Sequence, residues 1–254
     1  MREQTDGLPY LEKLADALGK TFSLSPEFIH LRRRSTRPAE GARYQRLSKR
    51  GERTEVREGD LKFLVNLDDF LDTGLFSDHR LTRSWVRTQS QGKRVLNLYA
   101  YTGAFTVYAA QGGATSTTTV DLSEKYLDWA LDNLKLNNLA DMEKHIAVAE
   151  ESRSFLYSAA REGRRWDLII LDPPSFSTTR TGEELLEIQR DHPDLINEAL
   201  ACLTKGGQLY FSTNHQRFKP DFTRIHGRSV EELTARSIPV DYQGRTPHRL
   251  FLFQ

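Results

Sequence analysis

A chain of 254 residues with 38% hydrophobic and 28% charged side chains is long enough to bury one large core, or one core and a small appended unit. No apolar run approaches the roughly 18 residues of a membrane helix, and Met1 to Tyr10 lacks the charged-then-apolar order of a secretory signal, so a cytoplasmic protein is expected. One cysteine, Cys202, excludes an internal disulfide, and seven scattered histidines form no pair at ligand spacing, so no metal is expected.

The chain opens with apolar residues at Leu11, Leu14, Ala15 and Leu18, a helical spacing over 8–18 that Gly19 closes. From Leu31 to Arg57 the net charge of +1 proves misleading, because ten Lys or Arg stand against three acids and leave −6 for the rest. Arg32, Arg33, Arg34, Arg43 and Arg46 are the candidates to meet RNA phosphates, against the blander reading of a solvated linker. Short apolar stretches such as 28–31 and 61–65, with Gly41, Gly51 and Gly59 between them, predict a small, mostly β unit. Residues 1–72 are thus read as a small basic α+β subdomain and 73–254 as the main domain, joined through a helical segment at 74–90.

From residue 93 onward strand and helix patterns alternate. Strands are expected at 94–99, 114–120, 145–148, 166–171 and 208–212, and helices at 102–111, 123–136, 152–160 and 194–203, the last capped by Gly206 and Gly207. Residues 237–240 and 249–253 follow without an intervening helix, so an antiparallel pair should close the sheet. The fold class is α/β: a Rossmann-like, seven-stranded, mostly parallel sheet with its last strand antiparallel. That reversed strand is the mark of a class I methyltransferase sheet.

In such a sheet a ligand sits beyond the carboxyl ends of the strands, at the switch between the first and fourth. The loop Asn97-Leu98-Tyr99-Ala100-Tyr101-Thr102-Gly103-Ala104-Phe105 turns there with a close approach at Gly103. Tyr99 and Tyr101 occupy places where glycines would admit a pyrophosphate, which argues against a nicotinamide cofactor and suits S-adenosylmethionine (SAM). Val120-Asp121-Leu122-Ser123 ends the second strand with a carboxylate at the position expected to take ribose hydroxyls, with Ser123 available as the helix cap. Glu150-Glu151-Ser152 after the third strand offers an acceptor for an adenine amino group. Leu171-Asp172-Pro173-Pro174-Ser175-Phe176 makes a rigid exit from the fourth strand, as an in-line methyl transfer needs.

The stretches Asn97 to Gly103 and Asp172 to Ser177, together with Tyr44-Gln45-Arg46-Leu47, Phe70 to Arg80, Thr117 to Trp129, Gln189-Arg190-Asp191-His192 and Phe211-Ser212-Thr213-Asn214, resemble the C-terminal guanine-N7 methyltransferase domain of the bifunctional bacterial large-subunit ribosomal RNA methyltransferases. The resemblance implies that Asp78 and Arg80 hold the methionine end of SAM and that Asn214 borders the acceptor. The candidate cofactor set is then Asp78, Arg80, Asn97, Tyr99, Tyr101, Thr102, Gly103, Ala104, Phe105, Asp121, Leu122, Ser123, Tyr126, Glu151, Ser152 and Asp172. The candidate catalytic set is Asp172, Pro173, Pro174, Phe176 and Asn214. The chain departs from that family in having no room for its RNA-binding module or second methyltransferase. His215 and Gln216 also replace a more basic pair, and Glu151 stands where aspartate is usual.

Guanine N7 carries an in-plane lone pair and no proton, so its methylation needs position and charge compensation but neither nucleophile nor base. Cytosine C5 would need a thiolate, and Cys202 lies on the wrong side of the sheet. Methylation of an exocyclic amine or of a non-nucleic substrate shares every cofactor residue and stays open. So does a catalytically silent RNA-binding module.

Overall fold

A computed structural model describes residues 7–31, 51–69, 72–178, 184–225, 227–242 and 244–254. The chain divides into two compact units, 1–55 with 65–74, and 56–64 with 75–254. In the smaller unit α1 (Gly7–Phe22) runs past Gly19, which was expected to end it. The Gly19 carbonyl instead accepts from Leu24 N–H at 3.0 Å, a bond that closes the chain one turn later. The stretch 28–31 is no strand, since Phe28 ends a 3-10 turn opened by Pro26. Further along, Asn66 folds its own turn by accepting from Asp68 N–H and Asp69 N–H at 3.0 and 2.7 Å.

Strands β1 (Thr54–Glu58) and β2 (Leu61–Val65) pair across Gly59, so the division between the units runs through this hairpin. Within the larger unit, Leu61 and Phe63 bury against Ala104, Val107, Tyr108 and Leu134. Helix α2 (Arg80–Gln89) follows a 3-10 turn over Ser77–His79.

The seven-stranded sheet is built from β3 (Arg94–Leu98), β4 (Ser116–Asp121), β5 (His145–Ala149), β6 (Trp166–Leu171), β9 (Leu203–Thr213), β10 (Val230–Glu232) and β11 (Arg249–Phe253). Its order is β10-β11-β9-β6-β3-β4-β5, parallel from β9 to β5, with β11 antiparallel to both neighbours. Helices α3 (Ala104–Gln111), α4 (Glu124–Leu136), α5 (Ser152–Arg161) and α6 (Ile188–Ala201) make the crossovers. Parallel strands covered on both faces read as continuous apolar runs, and Leu96, Leu98, Leu168, Ile169, Leu171, Leu209 and Phe211 are all fully buried. The polar β4 is the exception, and each buried hydroxyl there has a partner: Thr117 with His145, Thr118 with Trp166 and Thr119 with Thr106. All of α3 from Ala104 to Ala110 is buried, which is why it shows no polar face.

Three further expectations, all in the larger unit, are corrected. Residues 237–240 are not a strand: Ser237 ends the short helix α7 (Thr234–Ser237) and Val240 opens a 3-10 turn. Pro239 has no N–H for a ladder, and β10 takes the place beside β11. Gly206 and Gly207 do not cap a helix but lie inside β9, where pairing with β6 jumps from Leu203 to Gln208. Helix α6 begins at Ile188 and carries Pro193 within it. Proline removes the N–H that would bond to Gln189, and the His192 ring replaces it, its Nδ1 lying 3.0 Å from Ile188 O and 3.1 Å from Gln189 O. Its Nε2 accepts from Asp221 N–H, which fixes the tautomer with the proton on Nδ1.

Candidate active site

The strand order places β3 between β4 and β6, so the chain reverses its winding there and the loops leaving these three strands share one rim. The loop after β3 holds Tyr99, Tyr101 and Gly103 at φ of +53°, +51° and +71°. Bulky residues pay on the order of 1–3 kcal/mol each for that conformation, so the packing around them must enforce it. The Tyr101 ring lies 4.6 Å from Tyr126, 5.6 Å from Phe76 and 6.4 Å from Trp129, and Tyr101 N–H donates to Asp121 Oδ2 at 2.8 Å.

The close approach expected at Gly103 exists, but its partner is protein. A Cβ there would stand 2.5 Å from Ala130 Cβ on α4. Gly103→Ala is therefore expected to cost about 2–4 kcal/mol, combining overpacking with a left-handed φ; urea unfolding measures it, and a loss under about 1 kcal/mol would contradict this packing.

Asp121 ends β4. Its Oδ2 accepts from Tyr101 N–H and its Oδ1 from Ser123 N–H at 2.9 Å. Burial raises the carboxyl above its ordinary range, against the pull of these two bonds. Ser123 holds the N-cap position of α4 but makes no side-chain cap bond; the Asp121 carboxylate takes the Ser123 N–H in its stead. Leu122 is 56% exposed beside it. Glu151 caps α5 by accepting from Ser154 N–H at 2.8 Å, Ser152 is buried, and Asn97 faces inward, donating to Thr106 Oγ1 at 3.0 Å. Thr102, Ala104 and Phe105 are buried at the start of α3.

Past β6, Asp172 Oδ1 accepts from Ser212 Oγ at 2.5 Å. Its Oδ2 lies 3.8 Å from His79 Nε2. Pro173 is buried and Pro174 half-buried. Ser175 Oγ then donates to Asn214 Oδ1 at 2.8 Å, tying the loop after β6 to the loop after β9. Phe176 opens a hairpin, β7 (Phe176–Thr178) with β8 (Glu184–Glu187), which the sequence reading lacks. The Phe176 ring is 51% exposed, 6.5 Å from that of His215.

Asp78 and Arg80 flank His79. Burial would raise the Asp78 carboxyl, but the hydrogen bond from His248 leads the effects that outweigh it and hold the group below its ordinary range. Burial likewise keeps His79 below the usual histidine range, hence neutral. Arg80 pairs with Asp241, Nη1 donating to Oδ2 at 3.0 Å. His79, His248, Ser212, Ser237 and Asp241 were given no role: His79 and Ser212 lie within stretches quoted for the resemblance, and nothing local in the sequence marks the other three. Asp78, His79 and His248 bring three donor atoms within 4.8 Å. The two rings, however, stack at 3.9 Å and 17°, so an ion between them would lie out of both ring planes, away from the lone pairs that bind metals. Arg32, Arg33, Arg34, Arg43 and Arg46 lie outside the described residues.

Residues 11–241 match the family model of S-adenosylmethionine-dependent methyltransferases. The chain belongs to this family. The methyltransferase is 44% identical over 240 residues to "Ribosomal RNA large subunit methyltransferase K" of Neisseria meningitidis serogroup B, covering 94% of this chain and 67% of that one. It is 49% identical over 201 residues to "Ribosomal RNA large subunit methyltransferase K/L" of Syntrophotalea carbinolica, covering 79% of this chain and 28% of that one. The chain thus spans about two thirds of the first relative and under a third of the second. Among solved structures, a methyltransferase complexed with SAH superposes with a TM-score of 0.71 at 28% identity, over 81% of this chain and 57% of that one. This methyltransferase therefore works with SAM on a class I sheet. Among its described residues no helix is long and apolar enough to cross a membrane.

Proposed function

We propose that this methyltransferase modifies N7 of a guanine in large-subunit ribosomal RNA, in the cytoplasm. Its relatives carry ribosomal RNA names at 44% and 49% identity. The observation that carries the choice of atom is the acceptor edge: Ser175, directly after the two prolines, gives its hydroxyl to Asn214, and the half-exposed Phe176 stands beside it. A stacking face and amide donors suit an unstacked purine whose nucleophile is already a bare lone pair. The single thiol, Cys202, is fully buried, donates to Leu156 O, and is pushed up by burial, which removes the covalent route to a pyrimidine carbon.

The residue types at the rim suit a cationic, partly apolar cofactor. Asp78, Asp121 and Asp172 surround it with carboxylates, and Leu122, Tyr101 and Tyr126 add apolar surface. Asp121, oriented by two backbone N–H groups, takes the ribose hydroxyls; Asp78 and Arg80 take the methionine end; Tyr99, Thr102, Gly103, Ala104 and Phe105 shape the floor. When bound, SAM supplies an electrophilic methyl on a positive sulfonium. Asp172, locked by Ser212, fixes the acceptor side, with Pro173 and Pro174 stiffening the turn. Asn214 donates to the guanine O6, and Phe176 stacks on the base. Arg32, Arg33, Arg34, Arg43 and Arg46 meet RNA phosphates, so binding should weaken steeply with salt.

Borohydride and aniline break RNA at N7-methylguanine. A new break after incubation of unmodified ribosomal RNA with SAM and the enzyme is the expected result; methyl incorporation without a break would point to an exocyclic amine. For the cofactor, Asp121→Ala should weaken SAM binding by calorimetry roughly 10- to 100-fold, the loss of a charge-assisted hydrogen-bonding group. An unchanged Kd would remove Asp121 from the site.

A further inference from the structure

We propose that His248, oriented by Ser237, is a positioning residue of the cofactor site: it holds the Asp78 carboxylate in place and so sets the affinity for SAM without touching it. The inference rests on the reading of Asp78 given above. Asp78 lies in the single 3-10 turn Ser77–His79, which has no side-chain cap of its own, so little in its own element fixes its side chain. The fixing contact comes from the far end of the chain. His248 Nδ1 lies 2.8 Å from Asp78 Oδ2, across 170 residues, and the His248 side chain is completely buried against a carboxylate that is 15% exposed.

The other ring nitrogen is also engaged. His248 Nε2 lies 2.9 Å from Ser237 Oγ, which itself lies 3.0 Å from Thr234 O at the start of α7. The His79 ring stacks on one face of His248 at 3.9 Å. A carboxylate can only accept, so the Asp78 contact requires the proton on Nδ1. The His248 Nδ1–H therefore donates to Asp78 Oδ2, which leaves Oδ1 for the amino group of the methionine end, while Ser237, its hydroxyl proton directed at Thr234 O, supports the far edge of the ring. A buried serine with no route to substrate is no nucleophile; its place is behind the histidine, as the support that sets ring rotation.

The alternative is that this triplet only staples β11 to the turn before α2, and cofactor affinity separates the two. Calorimetry with SAM on the full chain, with thermal melting as the control for folding, is run on His248→Ala, His248→Asn, His248→Gln, Asp78→Asn and the double variant His248→Ala/Asp78→Asn. His248→Ala is expected to raise the SAM Kd roughly 10- to 30-fold, as loss of a hydrogen bond to a charged group does. His248→Asn, whose amide nitrogen falls near Nδ1, should stay within about threefold of the parent, whereas His248→Gln should not. In the Asp78→Asn background His248→Ala should add less than about twofold, because the effect runs through Asp78.

If Asp78→Asn weakens SAM but His248→Ala does not, the proposal falls and the reading of Asp78 stands. If Asp78→Asn leaves the Kd unchanged, that reading falls first and takes the proposal with it. Should His248→Ala fail to fold, the Asn and Gln pair decides: a retained Kd in Asn alone supports the proposal, and equal Kd values in both overturn it.

Discussion

Replacing Arg83 by alanine should lower the unfolding free energy by about 3–5 kcal/mol, the usual cost of breaking a buried ion pair from one side. The Arg83 side chain is 2% exposed and that of Glu58 11%. The fork is bidentate: Nε donates to Oε1 and Nη2 to Oε2, both at 2.7 Å. The guanidinium also lies 5.9 Å from the rings of Phe105 and Tyr108. Alanine would leave the Glu58 charge buried without its partner and open a cavity beside α3. The cost should thus belong to the orphaned charge more than to lost attraction. The double variant Arg83→Met/Glu58→Leu tests this, since replacing both partners by apolar groups is often neutral or better. Urea unfolding should show the double variant recovering most of the loss. A single variant within about 1 kcal/mol of the parent would mean that this pair is solvated.

The same pair shows what sequence patterns reach and what they miss. The order of strands and crossovers was legible because the central parallel strands, covered on both faces, declare themselves as apolar runs such as Trp166–Leu171, with the polar β4 as the exception. The rim followed from topology alone, with Asp121 ending β4 and Asp172 directly following β6. Contacts made across the chain were not legible. Nothing near Pro193 shows that His192 will stand in for the missing N–H, nor near Asp78 that His248 will meet it. Local rules also lost to tertiary ones: Gly206 and Gly207 look like a helix cap yet serve an irregularity in β9. Gly103 looks like a ligand glycine, yet the atom it avoids is Ala130 Cβ.

Asp172→Ala should reduce kcat/KM for methyl transfer roughly 10²- to 10³-fold, the scale on which a single preorganised polar group acts, while leaving the fold intact. Asp172 follows the buried Leu171 and precedes the buried Pro173, so its backbone has almost no freedom. Its side chain is held at Oδ1 by Ser212, and Oδ2 is 3.8 Å from His79 Nε2. Because burial keeps His79 neutral, no cation among these neighbours offsets the carboxylate, and its charge remains available to the sulfonium side of the site. Asp172→Asn separates charge from shape: the amide oxygen can still accept from Ser212, so a loss as large as that of alanine would assign the effect to charge. A near-parental rate in asparagine would assign it to the geometry of the Asp-Pro-Pro turn. Parental rates in both variants, with SAM affinity unchanged, would take Asp172 out of the reaction altogether, leaving the turn as a rigid exit from β6 and nothing more.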